Sequence, residues 1–337
     1  MVLQSNGQIS MSNVSVEFGG TAPLFISNYY AGGASGFVPS GITGIPTSGQ
    51  IGLSNFFGKA KNVGNGLYAF SSFTFTNAGA TGRNGPTLSA CRSAYSGTAW
   101  TQNTSNNWLN MTTQGIQLWT VPATGSYNIT CAGAAGGSAI ANGSTYANGG
   151  TGAVATVAFN LTQGNVISIL VGQIGSSFNN VGGGGGGGSY VVLSGTSRLI
   201  ICGGGGGAEI SGNVAPTTNK NASLSSQALA GKNGNNSADA GAAGSGGSAG
   251  GIDTTRSGYH SGIGSAGAGW SSDGAGITTV TGGIRFSAGG TGGSGATSGG
   301  FGGGGAADNA FWTGAGAGGG AARNPGAARN PQPGGAD

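Results

Sequence analysis

Gly182-Gly183-Gly184-Gly185-Gly186-Gly187-Gly188 runs directly into Ser189-Tyr190-Val191-Val192-Leu193, and Arg198-Leu199-Ile200-Ile201-Cys202 runs directly into Gly203-Gly204-Gly205-Gly206-Gly207. A glycine run is ordinarily a flexible linker. Linkers, however, do not sit wedged against apolar, β-branched segments that must be buried. Ordering each glycine costs roughly 1–2 kcal/mol of backbone entropy, and there is no side chain to offset it. Dense backbone hydrogen bonding is the remaining source. A left-handed helix of about three residues per turn leaves every N–H and C=O pointing outward. Packed beside others of its kind, each group bonds a neighbour, at about 1 kcal/mol net per bond. The expectation is a bundle of such helices, with Gly182, Gly185, Gly188, Gly203, Gly205, Gly207, Gly302 and Gly305 as scaffold positions. Gly302–Gly305 and Gly318–Gly320 are further runs, and Gly-Ala-Gly and Gly-Gly-Ser pieces fill 240–300.

The whole composition agrees with this reading. Of 337 residues 79 are glycine and 5% are charged, against about 7% and 25% in ordinary soluble domains. Disorder combines low hydrophobicity with high net charge, whereas this chain is 36% hydrophobic with a net charge of +4. Collagen needs glycine at every third position and abundant proline; nine prolines and no G-X-Y register exclude it. The 11 Lys and Arg are scattered, without the clustered patch of a nucleic-acid surface. The start, Met1-Val2-Leu3-Gln4-Ser5-Asn6-Gly7, has neither the basic nor the apolar region of a signal peptide. No apolar run reaches the roughly 20 residues of a membrane span. Synthesis in the cytoplasm, without a membrane span, is therefore expected. Cys91, Cys131 and Cys202 are an odd set, read as free, and Cys131 and Cys202 as buried small hydrophobes.

Residues 63 to about 202 read as sheet. Gly115-Ile116-Gln117-Leu118-Trp119-Thr120-Val121-Pro122 alternates, and a turn at Ala123-Thr124-Gly125 leads into a strand ending at Cys131. Ala153, Ala155, Val157, Phe159 and Leu161 share one strand face, and Gln163-Gly164-Asn165 turns the chain into Val166–Val171. Ser189–Leu193 and Arg198–Cys202 complete an expected antiparallel sandwich.

Residues 1–62 form a separate module with an internal repeat. Gly7-Gln8-Ile9-Ser10-Met11-Ser12-Asn13 returns as Gly49-Gln50-Ile51-Gly52-Leu53-Ser54-Asn55, with a shorter echo at Ile26-Ser27-Asn28. Each copy reads as a short strand entering a Ser/Asn turn or helix cap. With Pro39-Ser40-Gly41 and the closing Phe56-Phe57-Gly58-Lys59, the series resembles the N-terminal segment of tailed-phage tail-fibre and other virion proteins. Gly52 stands where that pattern has serine. The resemblance implies a virion-docking module that contacts other virion proteins.

Residues 70–322 resemble the glycine-rich extracellular domain of the anaplastic lymphoma kinase and leukocyte tyrosine kinase receptors. The residues that carry the likeness are Phe75-Thr76-Asn77-Ala78-Gly79-Ala80-Thr81-Gly82-Arg83-Asn84-Gly85-Pro86-Thr87, Gly115–Pro122, Ala132-Gly133-Ala134-Ala135-Gly136-Gly137, Ile169-Leu170-Val171-Gly172-Gln173, and Gly299-Gly300-Phe301-Gly302-Gly303-Gly304-Gly305. This implies a mainly β fold, a tumour-necrosis-factor-like antiparallel β-sandwich with an inserted bundle of polyglycine II helices, over 63–322. The last residues, 323–337, are expected to form an extended tail. The family carries a cysteine where Ala78 sits, pairing near Cys91; without it Cys91 lacks an evident partner. The kinase and transmembrane parts are absent, so no signalling role transfers.

Catalytic chemistry is missing from the sequence, and no enzymatic activity, cofactor or metal site is expected. Gly246-Gly247-Ser248-Ala249-Gly250 fits the nucleophile elbow, but no strand precedes it and the single histidine is His260. Gly231-Lys232 is followed by Asn233, so there is no P-loop. The seven acids are dispersed. Binding loops remain: 208–230, and the segments that hold Tyr259 and His260, Trp270, and Asp308, Asn309, Phe311 and Trp312. Trp270 and Trp312 read equally as caps on the bundle ends. The expected function is a tail fibre or fibre-tip adhesin on the virion surface, binding a host-cell protein or polysaccharide; the sequence leaves stoichiometry open, and the resemblance to phage fibres makes a homotrimer one option. A decoration or head fibre without a receptor, and a polysaccharide depolymerase, are the alternatives.

Overall fold

The computed structural model describes residues 3–20, 22–35, 37–38, 42, 44–59, 66–180, 182–194, 197–208, 265–276 and 279–307. The chain divides into two compact units: Met1–Ser72 with Val121–Gly125 and Leu161–Gly164, and Phe73–Thr120 with Ser126–Asn160 and Asn165–Asp337.

In the first unit the repeat is a capping device. Helix α1 (Met11–Phe18) and two 3-10 turns, Ile26–Tyr29 and Leu53–Phe56, each begin on a repeat copy. In all three the asparagine side chain reaches back to the backbone N–H three residues earlier. Ser10 N donates to Asn13 Oδ1 at 2.9 Å, Phe25 N to Asn28 Oδ1 at 3.0 Å, and Gly52 N to Asn55 Oδ1 at 2.8 Å. This satisfies an N–H that the first turn of a helix leaves orphaned. The residue after each asparagine, Val14, Tyr29 or Phe56, is fully buried, so the three caps aim three side chains into one core with Phe18, Val38 and Ile42. Tyr29 and Phe56 meet edge to face at 6.2 Å. The strands expected before each cap are not formed. Leu3 N bonds Lys59 O and Gly58 N bonds Gln4 O, so the two ends of the segment pin each other. Asn55→Ala is expected to cost about 1 kcal/mol, the typical value of a cap, read as a lower denaturation midpoint of this unit.

Among the described residues the strands are β1 (Leu109–Asn110), β2 (Ile116–Thr120), β3 (Gly125–Ala132), β4 (Ala139–Ala141), β5 (Ser144–Ala147), β6 (Val154–Leu161), β7 (Val166–Leu170), β8 (Ser189–Leu193) and β9 (Ser197–Cys202). A five-stranded sheet has the order β1-β2-β7-β8-β9, and each of its pairings is antiparallel. β3 pairs with β6, and β4 with β5. The turns at 123–125 and 163–165 are thus not hairpins within one sheet; they carry the chain between sheets, from β2 to β3 and from β6 to β7.

Both faces of the large sheet are covered. On one, Ile116, Leu170, Tyr190, Val192 and Ile201 pack with Phe286 and Phe301. On the other, Trp119 meets Tyr127 of β3 edge to face at 5.6 Å, and Cys131 Sγ donates to Ser189 O at 3.4 Å. Strands covered on both sides read as unbroken apolar runs, which is why Tyr190-Val191-Val192 and Leu199-Ile200-Ile201 do not alternate. Residues 63–202 are not all sheet, however. Helix α2 (Leu88–Ala94) forms where Thr87 Oγ1 accepts from Ala90 N at 3.2 Å, and a 3-10 turn follows at Ala99–Gln102. Thr87 is a cap signal that the strand reading passed over. Asn142 and Gly143, with φ +50° and +76°, make the tight β4–β5 turn.

Candidate functional site: the glycine lattice and its far end

Five glycine-rich segments are direct continuations of strands. β3 runs on into 133–137, 148–153 runs into β6, β7 runs on into 172–176, 182–188 runs into β8, and β9 runs on into 203–208. Strand order therefore decides which segments are neighbours.

The hydrogen bonds repeat every third residue. Along the central run, Gly183 and Gly186 donate to Ala208 and Gly205. Gly184 and Gly187 donate to Ser176 and Gln173, and Gly185 and Gly188 to Gly305 and Gly302. Successive N–H groups thus address three different neighbours in rotation. Gly137 N and Ala134 N return bonds to the carbonyls of Gly184 and Gly187. Gly136 and Gly133 donate to Gly150 and Ala153, again three apart. All eight scaffold glycines expected from sequence lie in this lattice and are buried.

Glycine is required here by contact. A Cβ on Gly187 would lie 1.7 Å from Phe301 O, on Gly183 2.0 Å from Gly137 O, and on Gly186 2.4 Å from the carbonyl oxygens of Ala134 and Ala135. Facing layers of a sandwich stand about 10 Å apart because side chains fill the gap. Past Cys131 and Cys202 that gap closes, and the continuations of β3 and β8 bond each other directly, Ala134 N to Gly187 O at 2.9 Å.

The lattice has two ends of different chemistry. Near the sheet its turns carry aromatics. Trp270 stacks on Phe286 at 5.5 Å and 17°, Phe286 stacks on Tyr190 at 5.3 Å, and the Arg198 guanidinium lies 5.5 Å over the Trp270 ring. Asp273 accepts from Arg285 Nη1 at 2.9 Å beside them. Trp270, nominated from sequence as a contact or a cap, is half-buried and packs against the core of the sheet. Burial holds the phenol of Tyr190 well above the usual tyrosine range.

At the far end several chain segments converge. The β4–β5 turn meets the turn at 177–180: Ile140 bridges Asn179, Asn142 N donates to Asn180 Oδ1 at 3.2 Å, and Gly143 N to Asn179 Oδ1 at 3.0 Å. Gly183 N bonds Ala208 O, Ser265 N bonds Ala306 O, Ala307 bridges Thr297, and Thr297 Oγ1 bonds Gly182 O. Ala208, Ser265 and Ala307 therefore all reach this end. Tyr259, His260, Asp308, Asn309, Phe311 and Trp312 lie outside the described residues; these three alanine and serine positions are the described residues that flank them. Phe178 is 63% exposed and Ile174 54% exposed at and beside the 177–180 turn. Sequence reading missed Phe178, although its signal was available. Ser176-Ser177-Phe178-Asn179-Asn180 sits between Gly175 and Gly182 much as Asp308–Trp312 sits between glycine runs.

Among the described residues no cluster of three or more His, Cys, Asp or Glu could hold a metal ion. None of the described helices is long and apolar enough to cross a membrane.

No protein-family model matches the chain. The leukocyte tyrosine kinase receptor of Mus musculus is 37% identical over 103 residues, which are 31% of this chain and 11% of the receptor. The likeness is thus to one segment of a much longer protein, and it is shorter than the 70–322 span drawn from motifs. The chain is similar to the receptor there and covers about a tenth of its length.

Proposed function

We propose that this chain is a non-enzymatic structural and adhesive protein of a tailed-phage virion, a tail fibre or fibre-tip adhesin that binds a host surface at the far end of its glycine lattice. The three-residue rotation of donors along 183–188 supports reading the lattice as a bundle of polyglycine II helices inserted in a tumour-necrosis-factor-like sandwich. Three residues per turn is the period of that helix. The bundle discriminates no ligand itself, since its residues have no side chains. Its work is to hold segments at a fixed distance from the sheet.

The observation that carries the reading is the division between the ends. Aromatics at the near end are consumed in packing, whereas Phe178 at the far end is exposed among asparagines. An exposed aromatic beside amide groups combines stacking area with hydrogen bonding, the mixture found at binding hot spots. The module at 1–62, closed by its own core and pinned ends, is the part that docks on the particle. The segment shared with the receptor kinase is, on this reading, a common scaffold rather than a common ligand.

Phe178→Ala should leave melting unchanged, because the side chain is exposed, and reduce adsorption of particles to host cells about thirtyfold, the loss of roughly 2 kcal/mol at a hot spot. Unchanged adsorption with intact folding overturns the far-end site. Antibody labelling in electron microscopy separates a fibre tip from a head decoration, and release of saccharide from host envelope would instead favour the depolymerase reading.

A further inference from the structure

Cys131 and Cys202 stand 71 residues apart in sequence, and nothing in the sequence pairs them. The fold brings them together at the throat where the two layers converge into the lattice. Cys131 ends the buried face of β3 and Cys202 ends β9, strands of different sheets. Cys202 Sγ donates to the Cys131 carbonyl at 3.0 Å. One residue past Cys202 and two past Cys131 the backbones touch: a Cβ on Gly133 would lie 2.0 Å from Gly203 O and 2.9 Å from Cys202 O. Both thiols are free and almost wholly buried. Ser189 closes the site from β8: its hydroxyl donates to Ala132 O at 2.6 Å and accepts from Gly172 N at 2.9 Å.

We propose that Cys131 and Cys202 are a redox pair that closes to a disulfide under peroxide and staples β3 to β9 where the glycine lattice begins. The Cys202 thiol already lies against the backbone of Cys131. The Cys131 side chain lowers Cys202 below the ordinary thiol value, while the Cys202 side chain, with burial, raises Cys131. Cys202 is therefore the sulfur that attacks. Its thiolate displaces hydroxide from hydrogen peroxide and becomes a sulfenic acid; the Cys131 sulfur then attacks the Cys202 sulfur, and water leaves. In balance, two thiols and one peroxide give one disulfide and two waters. The inference stands apart from the proposed function, because it concerns the throat and uses nothing at the far end of the lattice.

Cys91 is the internal control. It is buried elsewhere, on α2, and burial pushes its thiol up to about 11. No partner cysteine lies near it among the described residues. The test exposes the folded full chain to hydrogen peroxide, removes the oxidant with catalase, unfolds in iodoacetamide, and maps peptides by mass spectrometry without reductant. The expected result is a linked Cys131–Cys202 peptide pair, opened by dithiothreitol, with Cys91 alkylated. The linked protein should melt about 5 °C or more higher, since a long loop is closed in the unfolded chain. Recovery of both Cys131 and Cys202 as alkylated residues, under a dose that fully oxidises an added thiol peptide, overturns the proposal. So does a link that involves Cys91, or a linked protein that melts no higher than the reduced one. Cys91→Ser should leave the link intact, and neither arm depends on a variant at the throat.

Discussion

Gly187→Ala is expected to destabilise the glycine-rich unit by about 3 kcal/mol or more, at or beyond the upper range for overpacking a rigid interior. The added methyl carbon would sit 1.7 Å from Phe301 O. Elsewhere in a protein such a clash is relieved when a side chain rotates, but here the obstacle is backbone. Phe301 O is itself held by Gln173 N at 2.9 Å, and Gly187 N donates to Gln173 O at 2.9 Å. Moving either strand of the contact breaks bonds that each lead to further neighbours. The paired control is Gly97→Ala, where a Cβ meets nothing within 4 Å and the residue is exposed. That change should stay within about 0.5 kcal/mol. Denaturant melts of both variants decide the matter. If Gly187→Ala melts like Gly97→Ala, the lattice is not the close-packed body described.

Phe301→Ala should cost about 3–5 kcal/mol, the usual range for deleting a buried aromatic ring, and lower the melting temperature by about 10 °C. Phe301 is 1% exposed and joins the sheet to the lattice. Its backbone bonds Gly82 O and Gln173 N, while its ring packs with Leu170, Tyr190 and Phe286. The ring also explains two distant glycines. A Cβ on Gly115 would lie 2.2 Å from Phe301 Cζ, and one on Gly85 2.6 Å from Cε1. The deleted ring leaves a slot walled by backbone, which relaxes little. A Phe301→Leu variant that loses as much stability as Phe301→Ala would show that shape, rather than burial, dominates at this position. Equal melting of Phe301→Ala and the parent would contradict the role assigned to the ring.

Strands were legible in the sequence because their apolar content is dense and their ends are marked. Val166–Leu170, Ser189–Leu193 and Ser197–Cys202 fall within a residue of expectation. α2 was not, since its seven residues contain little helical periodicity and only Thr87 announces them. The repeat in 1–62 was visible as letters, and its reading as a cap held; the strands expected before each cap did not form. In the candidate site, Phe178 was passed over because five polar and aromatic residues between glycines look alike wherever they occur.

By itself the sequence determined that glycine runs adjoin buried strands, and hence that backbone groups, not side chains, must hold those runs in place. That follows from composition: a residue without a side chain has only its N–H and C=O to bond. Tertiary structure alone decided which run lies beside which. The order β7-β8-β9 in one sheet and the β3–β6 pair in the other set the neighbours of each continuation, and glycine letters are identical in every register. Tertiary structure also decided the approach of the Cys202 thiol to the Cys131 backbone and the contrast between Trp270 and Phe178. Those depend on which end of the lattice each turn reaches, a consequence of where every segment began on the sheet.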